Sequence, residues 1–375
     1  MEIKVGLGLI GEGLEVKRKL CITIGRDGII ESIGGYNECK NYLGGEGLIA
    51  IPQPANSHVH SGDNSFPEYG VNKELHELVA YPNGLKHRLL KNLPYQKIVS
   101  GIRKFYITSY LMGVGLLVDF REGGGVGCLA SKEASRGLEG KLKIVTLGRP
   151  GPNFPENCDG LGISAPLDYD PETLKTLVKQ ERYSQTHIAE DIENRRKGDL
   201  ELAIELGFDT LIHGTYLGEQ DIAKISDKGI NLVFCPSSNL WHGLRFPPID
   251  LAIKQGIAFA LGTDNAAWFL PDVYKEANVA LLYLRSKGFR GDEVARTLLR
   301  ALFINGYKIV NATPSTISEG NKAKLLLIDG ENSGILRSLN IYSAIIKRSQ
   351  FGFIKYRIDG ENALNVKTAK NLNLH

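Results

Sequence analysis

Apolar positions along the chain fall into two regimes. Between residues 49 and 261, short continuous apolar runs alternate with stretches in which apolar residues recur every three or four positions. Runs of the first kind read as strands buried on both faces, and stretches of the second kind as amphipathic helices. The strand-like runs are 49–60, 115–120, 142–147, 161–165, 183–188, 210–213, 232–235 and 258–261. Helical spacing is clearest at Ile98, Ile102, Phe105 and Met112, at Leu174, Leu177 and Val178, and at Ala277, Ala280, Leu281 and Leu284. Asp170-Pro171-Glu172 opens the second of these with a capping carboxylate, a proline in the first turn and an acid suited to the helix dipole. Eight strand-then-helix units over about 250 residues fit a (β/α)8 TIM barrel, whose active sites lie at the C-terminal ends of the strands.

The terminal segments behave differently. Runs 20–24 and 29–33 flank Gly25-Arg26-Asp27-Gly28, a hairpin signal. Runs 323–329, 341–346 and 351–356 again read as short strands. The expected architecture is therefore α/β: a barrel over 52–311, and a small β-sandwich built from 1–51 and 312–375. Residues 61–95, polar and proline-containing, read as an irregular loop covering the site after the first strand.

Composition narrows the function classes. The chain has 375 residues, 42% of them apolar, and 45 basic against 42 acidic residues give a net charge of +3. No basic block is long enough to suggest a nucleic-acid partner, and no apolar run approaches membrane-spanning length. The opening residues read as strand rather than as a secretory leader, so a cytoplasmic location is expected. Cys21, Cys39, Cys128, Cys158 and Cys235 are odd in number and widely spaced, without a Cys-x-x-Cys pair. That argues against disulfides and against a thiolate zinc site, and Cys235 reads as a small buried residue. Gly123–Gly127 lacks the Gly-Lys-Ser/Thr ending of a nucleotide loop and reads as the turn after the second strand.

The candidate chemistry lies at strand ends. His58 and His60, two apart on one strand, project to the same side. His187, Glu190, His213 and Asp264 each stand at or just past the C-terminal end of an apolar run, so a barrel would bring all six to one rim. Imidazoles and a carboxylate with one position left for water describe a catalytic zinc-type site, and iron suits the same ligands. Ser238, Asn239 and Trp241 follow the seventh strand and offer hydrogen bonds and a stacking face, although Trp241 equally suits packing. Arg121 and Glu122, after the second strand, are further candidates for a polar substrate edge. His76, His87, His242 and His375 match no motif.

Taken in order, Asn56-Ser-His-Val-His60, Thr186-His-Ile-Ala-Glu190, Ile212-His213, Cys235-Pro-Ser-Ser-Asn239 and Leu261-Gly-Thr-Asp-Asn265 resemble the amidohydrolase superfamily. The resemblance is to its mononuclear deaminase branch, which includes cytosine, guanine and S-adenosylhomocysteine deaminases and the chlorotriazine hydrolases. It implies that His58, His60, His187 and Asp264 ligate one divalent metal, that His213 polarises or orients the attacked group, and that Glu190 shuttles a proton to a ring nitrogen. Binuclear relatives place a carboxylated lysine or a glutamate at the end of the third or fourth strand. Here those ends read Leu147-Gly-Arg-Pro150 and Ile163-Ser-Ala-Pro166, so one metal is expected. The implied activity is hydrolysis of a non-peptide C–N bond, as an aminohydrolase deaminating a purine, pyrimidine or related heterocycle. Residues Ser61–Gly70 depart from the deaminase pattern and leave the ring and the leaving group open. The alternatives are a cyclic amide or ureide hydrolase, which would not need Glu190 and would release a carboxylate without ammonia, and a silent barrel serving as a binding scaffold. A homodimer would follow only from the general prevalence of twofold assemblies.

Overall fold

A computed structural model of the chain describes residues 1–369. His375 lies outside the described residues. The chain divides into two compact units, one made of Asn56–Thr108 and Leu117–Asp272, the other of Met1–Ala55, Ser109–Leu116 and Val273 onward. Among the described residues no helix is long and apolar enough to cross a membrane.

The first unit is built on the barrel sheet. Its strands are Ala55–His60, Leu116–Arg121, Lys143–Gly148, Gly160–Ile163, Ser184–Ile188, Thr210–His213, Asn231–Phe234 and Phe259–Leu261, neighbours in that order. Pairing is parallel from the third strand through the eighth. The eighth resumes as Asp264–Asn265, which pairs with the first strand, Asp264 opposite Val59 and Asn265 opposite His60, and so closes the sheet. Two local features make that closure. The Asn56 amide donates to Thr263 Oγ1 at 2.7 Å and accepts the Thr263 N–H at 2.9 Å. At Gly262 an added Cβ would lie 2.8 Å from the backbone of His58, so only glycine lets the two strands approach. Every residue of Leu116–Arg121 is buried, which is why the strands read as continuous apolar runs rather than as alternation.

The helices follow the expected periodicity at Tyr95–Leu111 and Pro171–Gln180, and Asp170 caps the latter by accepting the Thr173 N–H at 2.9 Å. The 61–95 segment is ordered rather than irregular: a 3-10 turn at Ser61–Ser65 is followed by helices at Leu75–Val79 and Leu85–Asn92.

The second unit carries a seven-stranded sheet. Across it the order is Asn362–Asn365, Ile354–Asp359, Lys324–Asp329, Tyr42–Pro52, Glu2–Ile10, Glu15–Ile24 and Ile30–Gly35. The Gly25–Gly28 turn joins the last two strands as a hairpin, with Gly28 at φ +78°. The two ends of the chain meet where Tyr42–Pro52 runs antiparallel to Lys324–Asp329, around a core that includes Ile3, Val5, Ile22, Ala50, Leu325, Leu327 and Ile358.

Three expectations are corrected. The run 49–60 is two strands, because Pro52-Gln53-Pro54 interrupts the ladder where proline has no N–H to give. Residues 341–346 form a helix, Ile341–Arg348: Ile341, Ala344 and Ile345 are buried at helical spacing, and Asp292 accepts the N–H groups of Tyr342 (3.0 Å) and Ser343 (2.8 Å). Four of the five cysteines are paired, Cys21 with Cys39 and Cys128 with Cys158, while Cys235 lies outside both bridges and is buried. The partners stand 18 and 30 residues apart, and only the folded chain brings them together. Cys21 lies opposite Gly34 in the hairpin, near the turn that carries Cys39. The second bridge fits beside Gly148, where an added Cβ would lie 2.3 Å from the Cys158 sulfur. Denatured without reductant, the chain should titrate one thiol per molecule, and a count of five in a thiol-reagent assay would contradict these pairings.

Candidate metal centre

The ends of the first, fifth, sixth and eighth strands bring His58, His60, His187, His213 and Asp264 together. Ligand atoms of His58, His60 and His187 lie within 4.8 Å of one another, as do those of His58, His213 and Asp264. His60 Nε2 is 3.3 Å from His187 Nε2, and Asp264 Oδ1 is 3.3 Å from His58 Nε2 and 3.6 Å from His60 Nε2. His213 and Asp264 both adopt left-handed backbone, at φ +69° and +60°. That conformation costs a non-glycine residue about 1–3 kcal/mol and is retained where function holds it.

Hydrogen bonds fix which atoms face inward. His60 Nδ1 donates to Glu122 Oε1 at 3.0 Å and His187 Nδ1 donates to the Ile163 carbonyl at 2.7 Å. Both Nε2 atoms therefore carry lone pairs, and these face each other. Among the described residues neither buried ring nitrogen of His58 has a hydrogen-bond partner. Nitrogens about 2.0–2.1 Å from a tetrahedral ion stand roughly 3.3 Å apart, so a divalent metal fits this donor set. On His213, Nδ1 accepts from the Asn239 amide at 3.2 Å, which leaves the proton on Nε2, 3.5 Å from Glu190 Oε1.

The electrostatics favour the same arrangement. Burial, reinforced by neighbouring positive charge, lowers the pKa of His58 and His187 and takes His60 down to about 3, so all three stay neutral. For Asp264 burial opposes ionisation, but the His58 contact and the other histidines outweigh it and hold the carboxyl well below its usual range. Glu190 goes the other way, because burial dominates and raises it.

The remaining candidates divide by what they touch. Ser238 Oγ donates to Asp264 Oδ2 and Asn239 holds His213, so both brace site residues. Trp241 is 46% exposed, its ring 6.4 Å from that of Trp268. Arg121 is fully buried, with its guanidinium against Gly62 and near Asp119 and Glu122. None of these four lines the cavity over the centre. Its walls include Lys86, Arg149, Ser164, Glu190 and His242, with Leu75 and Val79 from the covering segment. Lys86 and Arg149 stand in no catalytic motif, and His242, which reads from the sequence as a surface or hydrogen-bonding histidine, lines the cavity instead. The cavity is about 50 Å3, room for water rather than for a heterocycle.

A family model described as the amidohydrolase family matches residues 47–361. A Methanothermobacter thermautotrophicus protein provisionally named an aminohydrolase is 28% identical over 95% of this chain and 97% of its own length. A 5-methylthioadenosine/S-adenosylhomocysteine deaminase of Aquifex aeolicus is 26% identical over 81% of this chain and 79% of its own. In fold, the chain is similar to a zinc-bound adenosine deaminase of Xanthomonas campestris, with a TM-score of 0.78 at 14% identity over 96% of this chain and 92% of that one.

His87 reports on the covering segment. Its Nε2 donates to the Val79 carbonyl at 3.2 Å, and burial, with the charges of Arg149 and Lys86, pushes the imidazole down to about 4. An unfolded histidine titrates near 6.5, so the stability owed to neutral His87 is complete above about 6.5 and is lost as the pH falls towards 4. Amide exchange in 75–92, corrected for the intrinsic rate, should accelerate between pH 7 and pH 5, and His87→Gln should flatten that dependence.

Proposed function

Because the chain belongs to the amidohydrolase family and is a hydrolytic enzyme with a divalent-metal centre, we propose that it is a zinc-dependent aminohydrolase that removes an exocyclic amino group from a purine, pyrimidine or related heterocycle. The observation that carries the reading is Glu190: a carboxyl raised by burial, beside His213 and lining the same cavity as His60, His187 and Asp264. A carboxyl whose pKa burial raises, beside a hydrolytic centre, is suited to deliver a proton to a ring nitrogen. The deaminase names of the relatives support the same chemistry.

His58, His60, His187 and Asp264 would hold the ion, which when bound acidifies water enough to supply a nucleophile at neutral pH. Asp264, kept ionised, accepts the proton that water gives up as its oxygen adds to the carbon of the C=N bond. Glu190 protonates the ring nitrogen as that bond becomes single. The proton held by Asp264 then reaches the exocyclic amine, the C–N bond breaks and ammonia leaves, while the added hydroxyl returns its proton to Glu190 as it becomes the ring carbonyl. Water thus contributes oxygen to the ring carbonyl, one proton to the ring nitrogen and one to ammonia. The Nε2–H of His213 donates to the developing oxygen, with Asn239 fixing its tautomer. Arg149 and Ser164, rather than a lysine or carboxylate, stand beyond the third and fourth strands, which supports one ion. The proposal includes a cytoplasmic location.

The test is ammonia release from a panel of aminated purines, pyrimidines, nucleosides, adenosyl thioethers and triazines. Wild type should release ammonia from at least one compound, Glu190→Gln should lower kcat about 100-fold or more, and chelation should abolish turnover until metal is restored. Ring opening to a carboxylate without ammonia, undiminished in Glu190→Gln, would replace this reading with cyclic amide hydrolysis.

A further inference from the structure

Beside His60 lies a charged cluster to which the reaction above gives no role. Glu122 Oε1, which accepts the His60 Nδ1–H, also takes Lys86 Nζ at 2.7 Å, and Arg149 stands 3.5 Å away. The same ammonium reaches Asp63 at 3.1 Å, and Asp63 in turn accepts from the Asn265 amide at 2.6 Å. Lys86 is 2% exposed and sits on the Leu85–Asn92 helix of the covering segment, whereas Glu122 and Asn265 follow barrel strands. A buried ammonium between two carboxylates is a strong and directional tie, because losing it leaves like charges facing each other away from water.

We propose that Lys86 is a positioning residue that couples closure of the 61–95 cover to the metal centre, by holding the Glu122 carboxylate against His60 so that His60 presents its Nε2 lone pair to the ion. The inference rests on the functional reading above for His60 as a ligand. It assigns the cover a second task beside enclosing the substrate: opening it withdraws Lys86 from Glu122 and loosens a ligand. Coupling of this kind is reciprocal, so metal must stabilise the closed cover to the same degree that closure stabilises metal. Partners that orient metal-binding histidines change metal affinity about 10–100-fold when removed.

Two measurements test this. Zinc affinity, by competition with a chromophoric chelator, should fall about 10–100-fold in Lys86→Met and in Glu122→Gln, and the double variant should be no weaker than Glu122→Gln alone. In wild type at pH 7.5, amides in 75–92 should exchange about tenfold or more slowly with zinc than without, while those in 171–180 stay unchanged; this comparison needs no variant to fold. Zinc affinity in Lys86→Met equal to wild type, additive losses in the double variant, or exchange in 75–92 indifferent to zinc would each overturn the coupling while leaving zinc-dependent deamination intact. Failure of wild type to bind zinc at all would overturn the functional reading and this inference with it.

Discussion

Two imidazole nitrogens 3.3 Å apart, each with its lone pair turned towards the other, define this molecule. Glu122 and the Ile163 carbonyl take the Nδ1 protons of His60 and His187, so neither Nε2 has a proton to offer. Facing acceptors of this kind in a buried site cost about 1–3 kcal/mol each unless something positive lies between them. Desolvation disfavours protonation of both rings, and a cation held between the two nitrogens would satisfy both lone pairs. The fold serves that constraint: parallel strands deliver the ligands from one direction, and the broken eighth strand carries Asp264 across the closure of the barrel to face the first.

Support for the donor set comes from the residues behind it. Asn56 and Thr263 lock the first strand to the eighth, Ser238 braces Asp264, and Asn239 sets the tautomer of His213. Asp119 anchors Ser61, just beyond His60, through the backbone N–H at 2.9 Å and the hydroxyl at 2.6 Å, and takes the Tyr106 hydroxyl at 2.6 Å. These bonds offset the strained backbone of His213 and Asp264 and leave little freedom for the imidazoles to turn away. Glu190 and Asp264 are shifted in opposite directions, Glu190 raised by burial and Asp264 lowered by the His58 contact and the other histidines against burial, which suits the proposed division into a donor and an acceptor of protons.

Much of this was legible in the sequence because it depends on strand ends. Continuous apolar runs located the barrel strands, and His58, His60, His187, His213 and Asp264 followed from their place at the ends of those runs. What escaped depends on contacts between distant segments. Lys86 lies among Leu85, Leu89, Leu90 and Leu93, whose spacing marks a helix but not what its polar residues meet, and only the folded cover brings it to Glu122. Arg121 looked like a substrate contact from its strand-end position, yet its side chain lies over Gly62, because a strand end fixes where a residue stands and not which way a long side chain runs. Ser238 and Asn239 follow the seventh strand, where the Ser238 hydroxyl goes to Asp264 and the Asn239 amide N–H to His213. The disulfides were missed because sequence separation carries no information on Cα proximity, and the helix at Ile341–Arg348 because six apolar-rich residues read equally well in either period.

The central claim is that these histidines hold one metal ion through their ring nitrogens. X-ray absorption at the metal edge of zinc-loaded protein tests it most directly. The account predicts one ion per chain in a shell of nitrogen and oxygen atoms at about 2.0–2.1 Å, with the outer-shell scattering of about three imidazoles and no sulfur. A shell of oxygen alone without imidazole scattering, or a sulfur ligand, would contradict it.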